Sequence, residues 1–461
     1  MEPSAVHRYV DAQRERSIDL LRRLIRQPSV SSQNRGVREC AALLAETMRG
    51  IGIDARVMET TGQPVVFGEL RAARADAPAL LIYTHYDVQP EDPIEEWRHP
   101  PFEAALEDGR IIGRGATDAK GNLVCHLAAA EAYVRAADGP PITLKFLFDG
   151  EEESGSPSLP AFVDAHRDLL RCDASLSFDG GFDASDRPMI TFGSSGLLYV
   201  HLDATGATQD LHSARARLVP NPAWRLVWAL GTLKHPDERI AIEGFYDDVL
   251  PPDPDERRLL EEYDWNSAAQ QRALGVREFL TGVTGTAALE RLLFQPTCNI
   301  AGFRAGYAGE GSQTVLPHRA RAYVDFRLVW RQDPADILAK LRRHLDRHGF
   351  EDVAVSSHEG IEPSRAPINS AVSRAVIEAA RVTYAPVRPL LKPRSDASGR
   401  QATWLGTKLG VAGVGTGIGP PDWLGHAPNE FITLSHFMNG IHYAVNIWAA
   451  LGAAGGVPAA G

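Results

Sequence analysis

Long apolar runs are missing from this chain, and with them the sequence signal of a membrane-spanning helix. No window approaches the roughly 20 uncharged apolar residues that such a helix needs. The N-terminal stretch also lacks the apolar core of a secretory signal, because Arg14, Glu15 and Arg16 stand where leucine would be required. The sequence therefore predicts a cytosolic protein without a membrane partner.

Cysteine and clustered positive charge are also scarce. The formal net charge is −11 and no basic run interrupts it, which argues against nucleic acid or an anionic membrane as a partner. The cysteines form no CxxC pair, so neither a disulfide framework nor a cysteine metal site is expected. We interpret them as buried thiols: Cys40, Cys125, Cys172 and Cys298.

Apolar residues and length, in contrast, suffice for a large packed core. A chain of 461 residues with 44% hydrophobic residues predicts two or three globular domains. Helical periodicity covers Ser17 to Arg26 and Val37 to Gly50, and strand and helix patterns then alternate as far as about Phe192. This alternation predicts an α/β fold with a mostly parallel sheet flanked by helices.

A different pattern begins after residue 196. Leu197 to Ala204 and Arg319 to Arg327 alternate apolar with polar residues, as strands do when one sheet face meets water. A long helical and irregular stretch lies between them. We therefore predict a first part of the main domain over residues 1–196, an inserted α+β domain over 197–362, and the second part of the main domain over 363–461.

Potential metal ligands follow three apolar, strand-like runs. His85 follows the first run, Glu153 lies in an acidic run after the second, and Asp179 follows the third. Open α/β sheets place their sites at the C-terminal ends of their strands. Asp118 and His426 are two further candidates, and His426 lies beyond the insertion, so the chain must return to the site after it.

Five candidate ligands match the needs of a two-metal site: His85, Asp118, Glu153, Asp179 and His426. Two neighbouring divalent ions need about two terminal ligands each and a negative group between them. If Asp118 bridges, one ion receives His85 and Asp179. The other ion then receives Glu153 and His426. Glu152 is left as a spare carboxylate beside a ligand, free to act as a general base.

Each of these motifs also has an ordinary structural interpretation. A lone His-x-Asp is usually a surface pair or a capped core histidine, and Asp118 could be a turn residue between two glycines. The three glutamates could form a solvated turn. The metal interpretation is favoured because only Gly150 separates the acidic run from its strand, and because a helix that begins at Lys120 would stabilise the Asp118 anion.

In this order, the motifs resemble the di-zinc aminoacylase/carnosinase superfamily of metallopeptidases, which includes glutamate carboxypeptidases and desuccinylases. The likeness covers nearly the whole chain. Three segments resemble its carnosine-dipeptidase-like branch in particular: 210–213, 314–317 and 327–329. The resemblance implies a zinc-peptidase-like catalytic domain, an inserted lid and dimerisation domain, and a homodimer.

The resemblance also implies roles for single residues near the reaction. Asp87 would hold the first ligand histidine, Glu152 would be the general base, and the ligands would fall on the five positions given above. His212 would polarise the carbonyl oxygen in the site of the other subunit, although it could equally be a surface histidine. His126, which lies in no motif, is interpreted as structural or surface.

The substrate is expected to contact the insertion. The resemblance points to Asn299, Thr314 and Arg327, and the planar fork of Arg327 suits a substrate carboxylate. Arg327 could also be a sheet-face charge paired with Asp325. Ser398 is the candidate substrate-binding residue in the second part of the main domain. There, Arg394 to Arg400 stands in place of the Gly-Gly-Ser segment that the resembled family tends to have.

These observations predict metal-dependent hydrolysis of an amide bond in small peptides, with dipeptides as the first expectation. The cofactors would be two divalent ions, zinc first, with manganese or cobalt as alternatives. An N-acyl amino acid amidohydrolase of the same fold would share the scissile bond and is the main alternative. A non-catalytic binding protein on this fold is the third.

Overall fold

The computed structural model describes residues 4–263, 265–399 and 401–454, and these residues form two compact units. Unit 2 contains Ser194–Ser364 and Arg394–Gly399, and unit 1 contains the rest of the described chain. The sequence placed the boundaries after residues 196 and 362, a few positions away. It also left Arg394–Gly399 with the main domain, whereas the contacts of this segment group it with unit 2.

The N-terminal part of unit 1 begins with helices and continues as strands and helices. In the second helix, Ile18, Leu21 and Ile25 are buried at helical spacing, and Arg23 and Arg26 stand in the last turn, where they complement the helix dipole. The elements are α1 Ser4–Ala12, α2 Arg14–Arg26, α3 Val37–Ile51, β1 Asp54–Met58, β2 Val65–Leu70, β3 Ala79–His85, β4 Ala105–Glu107, β5 Arg110–Ile112, α4 Lys120–Ala136, β6 Thr143–Asp149, α5 Leu159–Ala165, α6 Arg167–Leu170, β7 Ala174–Gly181 and β8 Met189–Thr191.

The longer segment of unit 2 begins with the second residue of a short strand and ends with the first residue of another. Its elements, with those two shared strands, are β9 Gly193–Ser194, β10 Gly196–Thr205, β11 Leu211–His212, α7 Pro222–Leu233, α8 Pro254–Glu262, α9 Ser267–Leu274, α10 Gly285–Phe294, β12 Asn299–Ala305, β13 Val315–Leu316, β14 Arg319–Leu328, α11 Pro334–Arg347, β15 Ala354–Ile361 and β16 Ser364–Arg365.

The chain then completes unit 1. The remaining elements are α12 Ala371–Thr383, β17 Leu390–Lys392, α13 Ala402–Leu409, β18 Ala412–Gly419, β19 Phe431–Thr433 and α14 Leu434–Ala453. Short 3-10 helices lie at Ser31–Gln33, Ile94–Glu96, Glu152–Ser154, Ser213–Arg217 and Leu280–Gly282.

An eight-stranded sheet organises unit 1, in the order β1-β2-β6-β3-β7-β18-β8-β17. Its central strands β6, β3, β7 and β18 run parallel to one another, which confirms the predicted mostly parallel sheet. Helices α4, α12 and α14 pack on these strands, and α13 packs on β7 and β18. A separate three-stranded sheet joins β19, β5 and β4.

A four-stranded antiparallel sheet organises unit 2, in the order β12-β14-β10-β15. Alternate residues of β10 and β14 are buried, as their apolar and polar alternation predicted. The buried residues, Leu198 and Val324 among them, form one core with apolar residues of α7 and α11. Unit 2 therefore has a hydrophobic core of its own.

Two expectations from the composition can be compared with the structure. No helix among the described residues is long and apolar enough to cross a membrane. The four cysteines are free thiols; Cys40, Cys125 and Cys298 are buried, as expected, but Cys172 is only partly buried.

Candidate metal centre

Two groups of ligand atoms lie together in unit 1, and they share one residue. His85, Asp118 and Asp179 form the first group, and Asp118, Glu153 and His426 form the second. Within each group the potential ligand atoms lie within 4.8 Å of one another. The structure thus brings together all five residues that the sequence singled out as ligands.

Asp118 faces both groups with different oxygens. Its Oδ1 lies 2.9 Å from Nε2 of His85, and its Oδ2 lies 3.1 Å from Nε2 of His426. Asp179 Oδ1 lies 3.3 Å from the same His85 nitrogen, and Glu153 Oε2 lies 3.4 Å from the His426 nitrogen. A carboxylate whose two oxygens diverge in this way has the geometry of a bridge between two cations.

The side chains of this site fit a pair of divalent cations. Among the described residues, the buried Nε2 of His85 has no hydrogen-bond partner of acceptable geometry, although carboxylate oxygens surround it. Burial raises the pKa of Glu153 to about 8, and the adjacent Asp118 acts in the same direction. Several carboxylates buried together need compensating positive charge, which bound metal ions supply.

His85 is the last residue of β3, and Asp87 orients its ring. The His85 Nδ1 atom lies 3.0 Å from the Asp87 carbonyl oxygen and 3.3 Å from its carboxylate. The same carboxylate accepts hydrogen bonds from the backbone N–H groups of Glu152 and Glu153, at 3.1 Å each. Asp87 therefore connects the histidine strand to the acidic loop after β6.

Glu152 lies beside the ligands in the 3-10 helix that follows β6. Burial raises the pKa of its carboxyl well above the usual range; His85 opposes this shift, whereas the charges of Asp179 and Asp118 add to it. Glu152 is therefore within electrostatic reach of both ligand groups.

Asp118 belongs to the loop between β5 and α4, and a buried glutamate shapes this loop. Glu430 accepts hydrogen bonds from Arg114 Nη1 at 2.8 Å and from the backbone N–H groups of Gly115, Thr117 and Asp118 at 3.0 to 3.1 Å. Glu430 follows His426 by four residues, so it ties the two ligand loops together.

Asp179 lies at an irregularity of β7. Phe178 pairs with Thr416 of β18, but the next pair is Gly180 with Gly417, so Asp179 is an extra residue in the ladder. Such a bulge turns a side chain away from the regular alternation. Glycine is required at 417, because a Cβ there would lie 2.0 Å from the Gly180 carbonyl oxygen.

His426 lies in a loop with an unusual backbone. Asp422, Leu424, His426 and Asn429 all have φ between 57° and 67°, in the left-handed region that residues with a Cβ rarely adopt. Asn429 fixes the loop by accepting from the Arg98 N–H at 2.8 Å and donating to the Glu96 carbonyl at 2.9 Å. The His426 side chain is 57% exposed, so this ligand group is open to solvent.

The structure places the other predicted residues in unit 2. His212 is exposed on β11, which pairs with β13, and its Nδ1 accepts from the Ala214 N–H at 3.1 Å. Thr314 precedes β13, and its carbonyl accepts from the Ser213 N–H at 2.9 Å. His212 and Thr314 are thus close neighbours.

Arg327, Ser398 and Asn299 lie elsewhere in unit 2. Arg327 Nη1 donates to Ser398 Oγ at 2.7 Å, and Ser398 donates to the Gly196 carbonyl at 3.0 Å. Asp325 accepts from Asn299 Nδ2 at 2.8 Å. The Arg327 guanidinium is therefore held by its hydrogen bond to Ser398.

Three supporting residues escaped the sequence analysis. Glu430 lies four residues after His426 but received no predicted role, and two glutamines bond the carboxylate ligands. Gln89 donates to Glu153 Oε2 at 2.8 Å, and Gln401 donates to Asp179 Oδ2 at 2.6 Å. Gln89 follows the His-x-Asp motif by two residues, which is a usable signal. Gln401 carries none, because only the fold brings it to Asp179.

Comparison with known proteins identifies the family of this arrangement. A sequence model of the family described as Peptidase family M20/M25/M40 matches residues 81–450. The Beta-Ala-His dipeptidase of Rattus norvegicus is 28% identical over 347 residues, which cover 71% of this chain and 70% of the relative. The Cys-Gly metallodipeptidase of Schizosaccharomyces pombe is 26% identical over 364 residues, or 75% and 76% of the two chains.

Solved structures show the same fold. An M20 family metallo-carboxypeptidase from Sulfolobus solfataricus has a TM-score of 0.88 and 37% identity, with coverage of 95% of this chain and 99% of that one. Human carnosine dipeptidase 1 has a TM-score of 0.76 and 24% identity, with coverage of 98% and 100%. At 24% identity, the similarity to human carnosine dipeptidase 1 supports the fold alone.

Proposed function

Because the chain belongs to peptidase family M20/M25/M40 and to its carnosinase-like branch, we propose that it is a metal-dependent dipeptidase. The observation that carries this proposal is the pair of ligand groups that share Asp118. Relatives named as dipeptidases support the size of the substrate, and the metallo-carboxypeptidase likeness supports cleavage next to a free C-terminus.

In this proposal His85, Asp118 and Asp179 would hold one ion. Asp118, Glu153 and His426 would hold the other. Imidazole nitrogens and carboxylate oxygens are the ligands that zinc prefers, so zinc is the proposed metal; manganese and cobalt are the alternatives. Bound divalent ions would supply a water of lowered pKa and would polarise the scissile carbonyl.

Glu152 is the proposed general base and acid. Its carboxylate accepts the proton of the attacking water and then delivers it to the amine that leaves. Its charge interacts with residues of both ligand groups although it belongs to neither, and its backbone N–H donates to Asp87. The products are an amine and a carboxylate.

Arg327 is the proposed partner of the substrate's C-terminal carboxylate. Its guanidinium can form two parallel hydrogen bonds to a carboxylate, and Ser398 orients it at 2.7 Å. Asn299 and Thr314 would add neutral hydrogen bonds. An N-acyl amino acid also carries a free carboxylate, so the same residues would serve the alternative deacylase function.

A homodimer is the proposed assembly, with His212 acting on the oxyanion in the partner's site. Unit 2 exposes Trp224 and Trp228, whose rings stack at 5.9 Å on α7, and Leu218 nearby in sequence. It also exposes Ile300 on β12, an edge strand of the sheet. Exposed aromatic residues and unpaired strand edges are features of protein interfaces.

Hydrolysis rates on a substrate panel test this function. The metal-loaded protein should cleave dipeptides faster than longer peptides or N-acetyl amino acids. C-terminal amidation should slow cleavage by about 10- to 100-fold, since hydrogen bonds to a charged group contribute about 1.5–3 kcal/mol. Faster cleavage of N-acetyl amino acids would favour the deacylase function, and equal cleavage of amidated dipeptides would contradict carboxylate recognition.

Substitution of the arginine gives a sharper version of this test. Arg327→Lys keeps the charge but loses the fork, so it should slow only substrates with a free carboxylate. Arg321→Lys is the matched control on the same strand, because Arg321 bonds Asp203 at 2.7 and 3.0 Å. Equal effects of both substitutions would contradict a specific role for Arg327.

A further inference from the structure

The two oxygens of Asp179 have different partners. Oδ1 lies 3.3 Å from Nε2 of His85, on the side of the ligand group. Oδ2 accepts a hydrogen bond of 2.6 Å from the side-chain amide of Gln401. Asp179 is nearly buried, with 7% of its side chain exposed, so this amide is a substantial part of its polar surroundings.

A hydrogen bond from an amide to one carboxylate oxygen limits the ways in which that carboxylate can bind a cation. The bonded oxygen has one lone pair engaged by the amide, so the other oxygen is the freer ligand for the ion. The side chain also loses the freedom to rotate into a two-oxygen arrangement. Residues that hold metal ligands in this way affect metal affinity, because the ligand need not be ordered when the ion binds.

The Gln401 side chain does not cap its own helix. Gln401 stands at the N-terminal cap of α13, where an extended backbone (φ −76°, ψ −169°) carries the chain into the helix. Its side chain makes no capping hydrogen bond. The amide therefore points to the metal ligand and not to the backbone of its own helix.

The same stretch of chain also contacts a proposed substrate residue. Ser398, three positions before Gln401, bonds Arg327, the proposed substrate contact. One short stretch of this chain thus contains partners of both a proposed metal ligand and a proposed substrate residue.

We propose that Gln401 is a positioning residue that holds Asp179 in a one-oxygen orientation toward the ion of His85, Asp118 and Asp179. This inference rests on the two-ion assignment of the proposed function. It concerns metal affinity, which can be measured without turnover.

Zinc affinity, measured by competition with a coloured chelator on the metal-stripped protein, tests the proposal. Gln401→Met keeps the length of the side chain but removes the donor. It should weaken the binding of one of two zinc ions by about 10- to 100-fold, the usual effect of losing a partner of a metal ligand. Gln33→Met, at an exposed glutamine, should bind both ions as the unaltered protein does.

Gln401→Ala is the second variant, in case methionine disturbs folding, and urea denaturation of the metal-free proteins checks the fold. Two zinc ions bound by both Gln401 variants with unaltered affinity would overturn the positioning role. Fewer than two ions on the unaltered protein would instead contradict the proposed function, so the two failures are distinguishable.

Discussion

At the scale of single residues, a histidine in the core of unit 1 links pH to stability. His126 is buried on α4 between the rings of Phe178 and Trp448, at centroid distances of 4.4 and 5.9 Å. Among the described residues, neither of its ring nitrogens has a hydrogen-bond partner. Burial lowers the pKa of His126 to about 3, so the folded protein keeps this ring neutral.

The sign of the effect follows from proton binding. An unfolded chain protonates His126 near its ordinary pKa of about 6.5, whereas the folded protein does so only near 3. Above pH 6.5, the pH therefore has little effect on the free energy of unfolding through His126. As the pH drops from 6.5 toward 3, this free energy falls by about 1.4 kcal/mol per pH unit.

His126→Leu should remove this dependence. Between pH 7 and pH 5 the free energy of unfolding should fall by about 2 kcal/mol more in the unaltered protein than in the variant. Urea denaturation at both pH values measures the difference. The carboxylates titrate in both proteins, so their effect on the free energy of unfolding cancels in the comparison. His166→Leu, at a partly exposed histidine, should retain the full dependence. Identical pH dependence in His126→Leu and the unaltered protein would contradict the argument.

Residue chemistry also explains what the sequence could predict of the site. His85, Asp118, Glu153, Asp179 and His426 are recognisable because metal binding restricts the residue types and strand ends restrict their positions. Gln401 and Glu430 are not recognisable in this way. Their roles depend on hydrogen bonds across 222 and 312 or more positions of sequence, which no local pattern encodes.

At the scale of elements, two loops of the metal centre depend on one buried ion pair. Arg114 and Glu430 meet at 2.8 Å with only 1% of each side chain exposed. Arg114 also donates to the His426 carbonyl at 3.2 Å, so the pair connects the Asp118 loop to the His426 loop. Removal of one partner leaves an uncompensated buried charge.

Glu430→Gln should therefore destabilise the protein by about 3–5 kcal/mol and weaken zinc binding, because Arg114 loses its counter-charge and Asp118 loses its fixed loop. Urea denaturation and zinc stoichiometry measure the two effects. A double variant with Arg114→Met should recover part of the stability, since no buried charge remains. If Glu430→Gln alone kept full stability and both ions, the ion pair would not be the link between the loops.

The regular elements were largely predictable, and the irregular ones were not. The predicted helices at Ser17 to Arg26 and Val37 to Gly50 match α2 and α3, and the alternating segments match β10 and β14. These regular spacings of apolar residues arise because each helix or strand buries one of its faces. The three-residue strands β4, β5 and β19 are too short for a period, and the bulge at Asp179 depends on pairing with β18.

At the scale of the whole molecule, the proposed assembly depends on where the site residues lie in the chain. Every proposed metal ligand lies in unit 1, whereas His212 lies in unit 2 and is exposed. The sequence resemblance implies that His212 serves the other subunit. The dimer, the trans role of His212 and the cytosolic location all stay predictions.

Mixed dimers test the trans role. His212→Ala and Glu152→Ala should each be inactive alone. After mixing and subunit exchange, a heterodimer would have one site with both an intact Glu152 and an intact His212 from the partner. Part of the activity should return, up to about half per heterodimer, measured after separation by two affinity tags. No recovery in verified heterodimers would favour action within one chain or no catalytic role.

The most direct test of the central claim, a two-ion hydrolase with Glu152 as its base, is to measure zinc content and hydrolysis together in Glu152→Ala and Glu153→Ala. The residues are neighbours in one 3-10 helix, so each variant controls for the other. Glu152→Ala should bind two ions per chain yet lose about 10²- to 10⁴-fold in rate. Glu153→Ala should bind fewer than two. Equal zinc loss in both variants, or near-normal hydrolysis by Glu152→Ala, would contradict the account.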